Sequence, residues 1–238
     1  MKEKKIEIIK PKMCHLETVL QVEQAAWPDV GEGMIAEVEK FKNRIELETI
    51  FLLYFDNQPT GVISFEHPNF TSSTILENIL EEHAHNGLLN WEEINQKYHL
   101  PLDWYKATND GYIMKNGQSV NNPNSDCLFL IGVGVDYKNK GNGLVNHLIK
   151  HTLEQAKKMG KKYVIGYGRL PQLHENHDAP NIKDAEEHLL EKKQGTNLPA
   201  DYGARFHVFN GAKAVAVIPN AMDDSESKNY GFLAIYKL

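Results

Sequence analysis

Between Val133 and Gly143 the chain reads Val-Gly-Val-Asp-Tyr-Lys-Asn-Lys-Gly-Asn-Gly, two lysines and two glycines set just before a helical pattern. The pattern opens at once, with Leu144, Leu148, Ile149, Leu153 and Ala156 on one face. The run from Leu128 to Val135, rich in strand-forming residues, precedes it. Strand, glycine-bearing loop and helix start together make an anion cradle. The first amides of a helix lack intrahelical partners, and the helix dipole favours negative charge beside them. Gly141 and Gly143 let backbone approach a phosphate without an intervening Cβ, and Lys138 and Lys140 add positive charge. The spacing is not that of a P-loop, which ends in Gly-Lys-Ser/Thr, and it supplies only part of a three-glycine dinucleotide fingerprint.

The elements that must position this loop are legible on either side of it. Ile6 to Ile9 is a predicted strand, and His15 to Ala26 and Met34 to Ile45 are predicted amphipathic helices, the first carrying Leu16, Val19, Leu20, Val22 and Glu23. Ile50 to Phe55, a turn over Asp56-Asn57-Gln58-Pro59, and Thr60 to Phe65 make strand, turn and strand. After the loop's helix, Gly160 is the expected cap, Tyr163 to Tyr167 a buried parallel strand, and Ala212 to Ile218 with Tyr230 to Tyr236 a closing pair.

This order and the loop resemble the GNAT superfamily of acyl-CoA-dependent N-acetyltransferases, whose motif is Val-x-Val on a strand, then Gln/Arg-x-x-Gly-x-Gly/Ala at a helix start. Val133 and Val135 match the strand positions and Gly141 and Gly143 the glycines. Lys138 stands where Gln or Arg is usual, keeping charge but losing the forked donors of arginine. The strings Ala26-Trp27-Pro28, Arg44-Ile45-Glu46, Asn109-Asp110-Gly111, Arg169-Leu170-Pro171 and Val217-Ile218-Pro219-Asn220 resemble an enlarged subgroup. Some of its members are fused to carbon–nitrogen hydrolases, and no hydrolase is expected before the chain ends at Leu238.

The resemblance implies an α/β (α+β) fold: one domain over 1–238, with a central mixed, mostly antiparallel sheet flanked by helices. Insertions are expected at about 68–126 and 171–200, the second holding a charged helix from Lys183 to Lys193. The first joins the two strands that flank the groove of this fold. Its expected place is beside the acceptor entrance, restricting substrates or contacting a second copy in a homodimer.

The implied cosubstrate is acetyl-CoA, its pyrophosphate on Lys138, Asn139, Lys140, Gly141, Asn142, Gly143 and Leu144, its thioester polarised by the amide of Val133 or a neighbour on the Val133–Val135 strand. Gly132 and Gly134 permit a bulge that opens that strand from its neighbour. The acceptor is a small-molecule or protein amine. It must lose a proton before its lone pair attacks, and the tetrahedral oxyanion needs a fixed donor. His207 aligns with the superfamily's usual tyrosine acid and can serve as acid or base. The superfamily's strand glutamate is absent from Leu128-Phe129-Leu130-Ile131, leaving Asp126, Glu66 with His67, or a water relay as routes for the proton. Arg169 is a candidate for an acceptor carboxylate or a structural salt bridge, and Trp27 for the acceptor wall. A non-catalytic acyl-CoA sensor and a mononucleotide-binding module are the alternatives.

Composition limits the partners further. A net charge of −6 over 238 residues argues against general nucleic-acid binding. No apolar run is long enough to span a bilayer, and the charged start Met1 to Lys5 leads into too short a stretch for a signal peptide. Two cysteines, Cys14 and Cys127, fit a reducing compartment, so a cytoplasmic location is expected. His174-Glu175-Asn176-His177-Asp178 and Glu81-Glu82-His83-Ala84-His85 lack a ligand spacing that closes a metal site, so no metal is expected.

Overall fold

The structure, a computed structural model, describes residues 5–27 and 37–238. The first predicted elements form as expected: β1 (Ile6–Ile9), α1 (Leu16–Ala26) after a short 3-10 turn, and α2 (Val38–Glu46). The part of the second predicted helix over 34–36 lies outside the described residues. β2 (Ile50–Phe55) and β3 (Gln58–Glu66) form a tight hairpin, because Asp56 and Asn57 both take positive φ, which a two-residue turn requires. The strand therefore starts at Gln58 rather than Thr60. Pro59 is accommodated opposite Tyr54, where a register shift removes the need for its missing N–H.

Next come α3 (Ser73–Asn86), α4 (Trp91–Tyr98), α5 (Trp104–Thr108) and a two-residue ribbon of β4 (Met114–Lys115) and β5 (Gln118–Ser119). The chain continues through β6 (Cys127–Val135), α6 (Leu144–Lys158) and β7 (Tyr163–Arg169). α6 stops at Gly160, whose φ of 73° closes a six-to-one bond from the Lys161 amide to the Ala156 carbonyl. α7 (Leu173–Asn176), α8 (Ile182–Leu190), α9 (Tyr202–Phe209), β8 (Lys213–Ile218) and β9 (Gly231–Lys237) complete it. α8 is shorter than the predicted Lys183–Lys193, since the backbone turns extended at Glu191.

Seven strands form one sheet in the order β1-β2-β3-β6-β7-β9-β8. Only the β6–β7 pair is parallel. β7 is buried as expected, but it is parallel to β6 alone and antiparallel to β9. Alternation along the strands divides the core by sheet face. Phe51, Leu53, Leu128 and Leu130 pack with Leu144, Leu148 and Ile149 of α6. Ile50, Leu52 and Val62 pack under α1 and α2 with Val19, Val22 and Phe41.

The segment over 68–126 is built into the core. Its Leu76, Ile79, Trp91, Ile94, Ala107 and Ile113 are buried with Phe129, Ile165, Val215 and Leu233, so it covers the sheet face opposite α6. Without it a wide apolar surface would meet water. Among the described residues, no helix is long and apolar enough to cross a membrane.

Candidate functional site

Leu130 of β6 stands opposite Phe65 of β3, and Gly132 opposite Ser64, leaving Ile131 as an extra residue with no partner in the register. This bulge bends β6. On its other side, β6 pairs with β7 only from Cys127 to Leu130, against Tyr163 to Gly166. Past Leu130 and Gly166 the two central strands part. Gly132 is consequently exposed in the middle of a seven-stranded sheet, and a Cβ there would meet nothing within 4 Å. The bulge anticipated from the glycines is present.

β6 leads straight into the loop. The Asp136 carboxylate accepts from the Lys138 amide at 3.0 Å and starts a 3-10 turn over Tyr137–Asn139. Gly141 and Gly143 have φ of 90° and 70°, a region open to glycine and costly for residues with a Cβ. α6 then begins at Leu144 with no side-chain cap and no acidic residue in its first turn. Lys138, Lys140, Gly141, Asn142 and Gly143 are exposed, Asn139 is half-buried, and Leu144 is buried as the helix's anchor. Val133 and Val135 lie on the α6 side of β6. The Lys140 ammonium sits over the rings of Tyr137 and Tyr202, at 5.3 and 5.4 Å from their centres. The glycine-bearing loop, its lysines and the uncapped helix start thus follow on from the point where β6 and β7 part.

The candidate proton-transfer residues are dispersed. Asp126 precedes β6 at its closed end, about 20 Å of strand from Gly132. There its carboxylate accepts from the Ser73 amide and hydroxyl and from the Cys127 thiol. Burial pushes its pKa up, but those hydrogen bonds outweigh it and hold it below the usual value. It anchors the start of α3. His207, on α9, is half-buried with its ring against Phe206 and Phe232 and its Nδ1 2.8 Å from the Tyr236 hydroxyl. Burial pulls its pKa down to about 4, so the imidazole is neutral at pH 7. These are the surroundings of a core histidine.

Glu66 is fully buried, and neither carboxyl oxygen has a hydrogen-bond partner. Burial drives its pKa up to about 9 despite the nearby Arg44 charge. Arg44 is itself buried and donates to the Gly111 carbonyl from Nε at 3.2 Å and Nη2 at 2.8 Å. His67 is likewise pulled down to about 4 by burial.

Arg169, ending β7, forms the salt bridge and not a free carboxylate receptor. It grips Asp224 with two hydrogen bonds, of 2.6 and 2.8 Å, and reaches Glu226 at 2.7 Å. Its guanidinium also lies 5.5 Å from the centre of the Trp27 ring, where α1 ends. A further carboxylate escaped the sequence reading. Glu23 on α1 reaches over β6, with Oε2 3.6 Å from where a Cβ on Gly134 would stand. Its signal was Gly134, since that missing Cβ is what lets α1 approach; Ala26 would meet it at 2.9 Å. Among the described residues no group of three or more His, Cys, Asp or Glu is placed to hold a metal.

No family model matches the sequence, and no curated protein does. Solved structures do. The loading GNATL domain of CurA from Lyngbya majuscula is similar over 98% of both chains, at 17% identity and a TM-score of 0.68. The GphF GNAT-like decarboxylase, in complex with isobutyryl-CoA, is similar over 98% of both chains, at 16% identity and a TM-score of 0.61. A polyamine N-acetyltransferase of Drosophila melanogaster is similar over 98% of this chain and 100% of its own, at 12% identity and a TM-score of 0.51. At these identities the likeness is one of fold. The chain has the GNAT fold, with its mostly antiparallel sheet flanked by helices.

Proposed function

We propose that the protein binds an acyl-CoA in the cleft between β6 and β7 and transfers the acyl group, acetyl in the simplest case, to a primary amine. The observation that carries this reading is the exposed Gly132 in the middle of the central sheet, on the strand that leads into a loop with two glycines of positive φ and an uncapped helix. A thioester on a slender amide-bearing arm, ending in a pyrophosphate, has the shape and chemistry of that path.

The pyrophosphate takes the amides from Lys138 to Leu144, with Lys138 and Lys140 supplying charge. The arm's amides pair with the edge of β6 that β7 has left, as an added strand would. The carbonyl oxygen receives a hydrogen bond from the amide of Val133 or its neighbour, which strengthens as the oxyanion forms. Two free cysteines, Cys14 exposed and Cys127 buried, fit a reducing compartment such as cytoplasm.

Calorimetric titration with CoA and acetyl-CoA, followed by thiol release across alkylamines, a polyamine and a peptide with a free N-terminus, tests the proposal. Binding with amine-dependent release is expected. Absence of CoA binding at millimolar concentration would sink it.

One observation favours a second reading. The likeness to the GNAT-like decarboxylase, at a TM-score of 0.61, exceeds that to the polyamine acetyltransferase at 0.51. Loss of CO2 from a carboxyacyl-CoA uses the same cleft and needs no amine. Conversion of malonyl-CoA to acetyl-CoA without acceptor, and no turnover with amines, is the result that selects it.

A further inference from the structure

Gly132 and Gly134 are two apart on β6 and therefore share one face of the sheet. Above Gly134 stand Ala26, the Trp27 indole nitrogen and the Glu23 carboxylate, at 2.9, 3.4 and 3.6 Å from the position a Cβ would take. Above Gly132, about 7 Å along the strand, there is open space. That space is thus walled on one side by the last turn of α1, and its carboxylate is Glu23. The Trp27 indole nitrogen and the Glu23 carboxylate thus converge on one spot above Gly134, and the charge of the buried Arg44 acts on Glu23. The Arg169 guanidinium, ion-paired to Asp224, lies 5.5 Å from the centre of the Trp27 ring, so the indole is braced by a fixed neighbour.

Building on the acyl-transfer reading above, we infer that Glu23 is the carboxylate that receives the acceptor's ammonium group and takes its proton. Trp27 is a positioning residue, fixing the carboxylate through its N–H. The ammonium gives one proton to Glu23 and becomes a neutral amine. Its lone pair forms the new C–N bond at the thioester carbon while the carbonyl π pair moves onto oxygen. The tetrahedral species collapses, the C–S bond breaks, and the proton still in excess on nitrogen passes to the departing sulfur. Amide and CoA thiol leave, and Glu23 returns its proton to water. The placement selects cationic acceptors, because an anionic one would be repelled by the Glu23 carboxylate. Burial raises the Glu23 pKa against the opposing effects of Arg44 and the Trp27 hydrogen bond, the direction a base working near neutral pH needs.

The test is amine-dependent thiol release from acetyl-CoA by wild type, Glu23→Gln and Glu23→Asp, with CoA affinity measured on each and the folded state checked by urea unfolding. Glu23→Gln is expected to lower kcat/KM for amines by about 10²–10⁴-fold and to abolish the acidic limb of its pH profile, with CoA affinity unchanged. Glu23→Asp is expected to recover part of the rate. Trp27→Phe is expected to shift the acidic limb without removing it. Wild-type kcat/KM in a folded Glu23→Gln protein overturns the assignment and leaves acyl-CoA binding standing. A wild type that binds CoA but acylates no amine overturns it in the same way. A wild type that binds no CoA overturns both.

Discussion

The indole N–H of Trp104 donates to the carbonyl oxygen of Ile131 at 2.8 Å. Ile131 is the unpaired residue of the β6 bulge, so its carbonyl has left the sheet ladder and this indole replaces the lost partner. Across the cleft, the Tyr167 hydroxyl of β7 donates to the Pro101 carbonyl at 2.7 Å. Both acts belong to the segment over 68–126, which therefore fixes each parting strand as well as covering the sheet.

Trp104→Phe should keep the ring's packing and strand the Ile131 carbonyl. Leaving one buried acceptor unsatisfied costs about 1–3 kcal/mol. Urea unfolding should show that loss, and titration should show weaker acyl-CoA binding as the bulge relaxes. Unchanged stability and affinity would mean that water replaces the indole at no cost. Excising the whole segment should abolish folding, because seven-stranded sheet surface would be laid bare.

Gly132→Val tests the cleft without threatening the fold. A side chain there meets nothing within 4 Å of its Cβ, and Gly132 has no positive φ to strain. The variant should unfold as wild type does, yet bind acyl-CoA more than tenfold more weakly, a loss of about 1.4 kcal/mol or more. Gly141→Val should weaken binding comparably for a different reason, since its φ of 90° is hostile to a β-branched residue. Full CoA affinity in a folded Gly132→Val protein would remove the cleft from the binding path.

Local pattern carried most of this fold. The strands and α6 are visible because apolar residues recur at the strand or helix period, and Gly160 and Asp56-Asn57 mark turns by conformation. What pattern could not supply was which sheet face lacked cover. Leu76, Ile79, Trp91 and Ile94 look like any short amphipathic helices until Phe129 and Ile165 are seen beneath them. The cradle was legible because loop, glycines and helix start are contiguous. Glu23 was not, since it meets β6 across more than a hundred residues of chain, through a glycine that reads equally well as part of the bulge. Asp126 and His207 were legible as residue types only; their hydrogen bonds to Ser73 and Tyr236 join segments far apart in the chain.

Glu66 should make stability fall with rising pH. Its folded pKa is raised to about 9 from an ordinary 4.5, so between those values the folded state holds a proton that the unfolded state has released. Its contribution is complete below pH 4.5 and is lost as pH rises towards 9. Glu23, also raised by burial, adds to the same slope. The clean window is pH 6.5 to 9, above the range in which the depressed His67 and His207 act. Glu66→Gln should remove this slope, so its urea midpoint should gain on that of wild type progressively from pH 6.5 to pH 9. A parallel decline in both proteins would show that Glu66 is not the source.

His207 should prove a structural residue whose loss costs stability rather than turnover. Its folded pKa is depressed to about 4 from 6.5, so its contribution is present above pH 6.5 and is lost as pH falls towards 4. A neutral imidazole at pH 7 has no imidazolium proton to give, and its Nδ1 is already engaged with the Tyr236 hydroxyl, itself buried. His207→Leu fills similar space but leaves that hydroxyl without a partner, at about 1–3 kcal/mol. Its stability should therefore drop at pH 7 and depend less on acid between pH 6.5 and 4. Thiol release with amines should stay within a few-fold of wild type across pH 6 to 9, with CoA affinity unchanged. A fall of about 10²–10⁴-fold in kcat, with the fold intact and partial recovery in His207→Tyr, would instead return His207 to the proton-transfer role that its position in the sequence suggested.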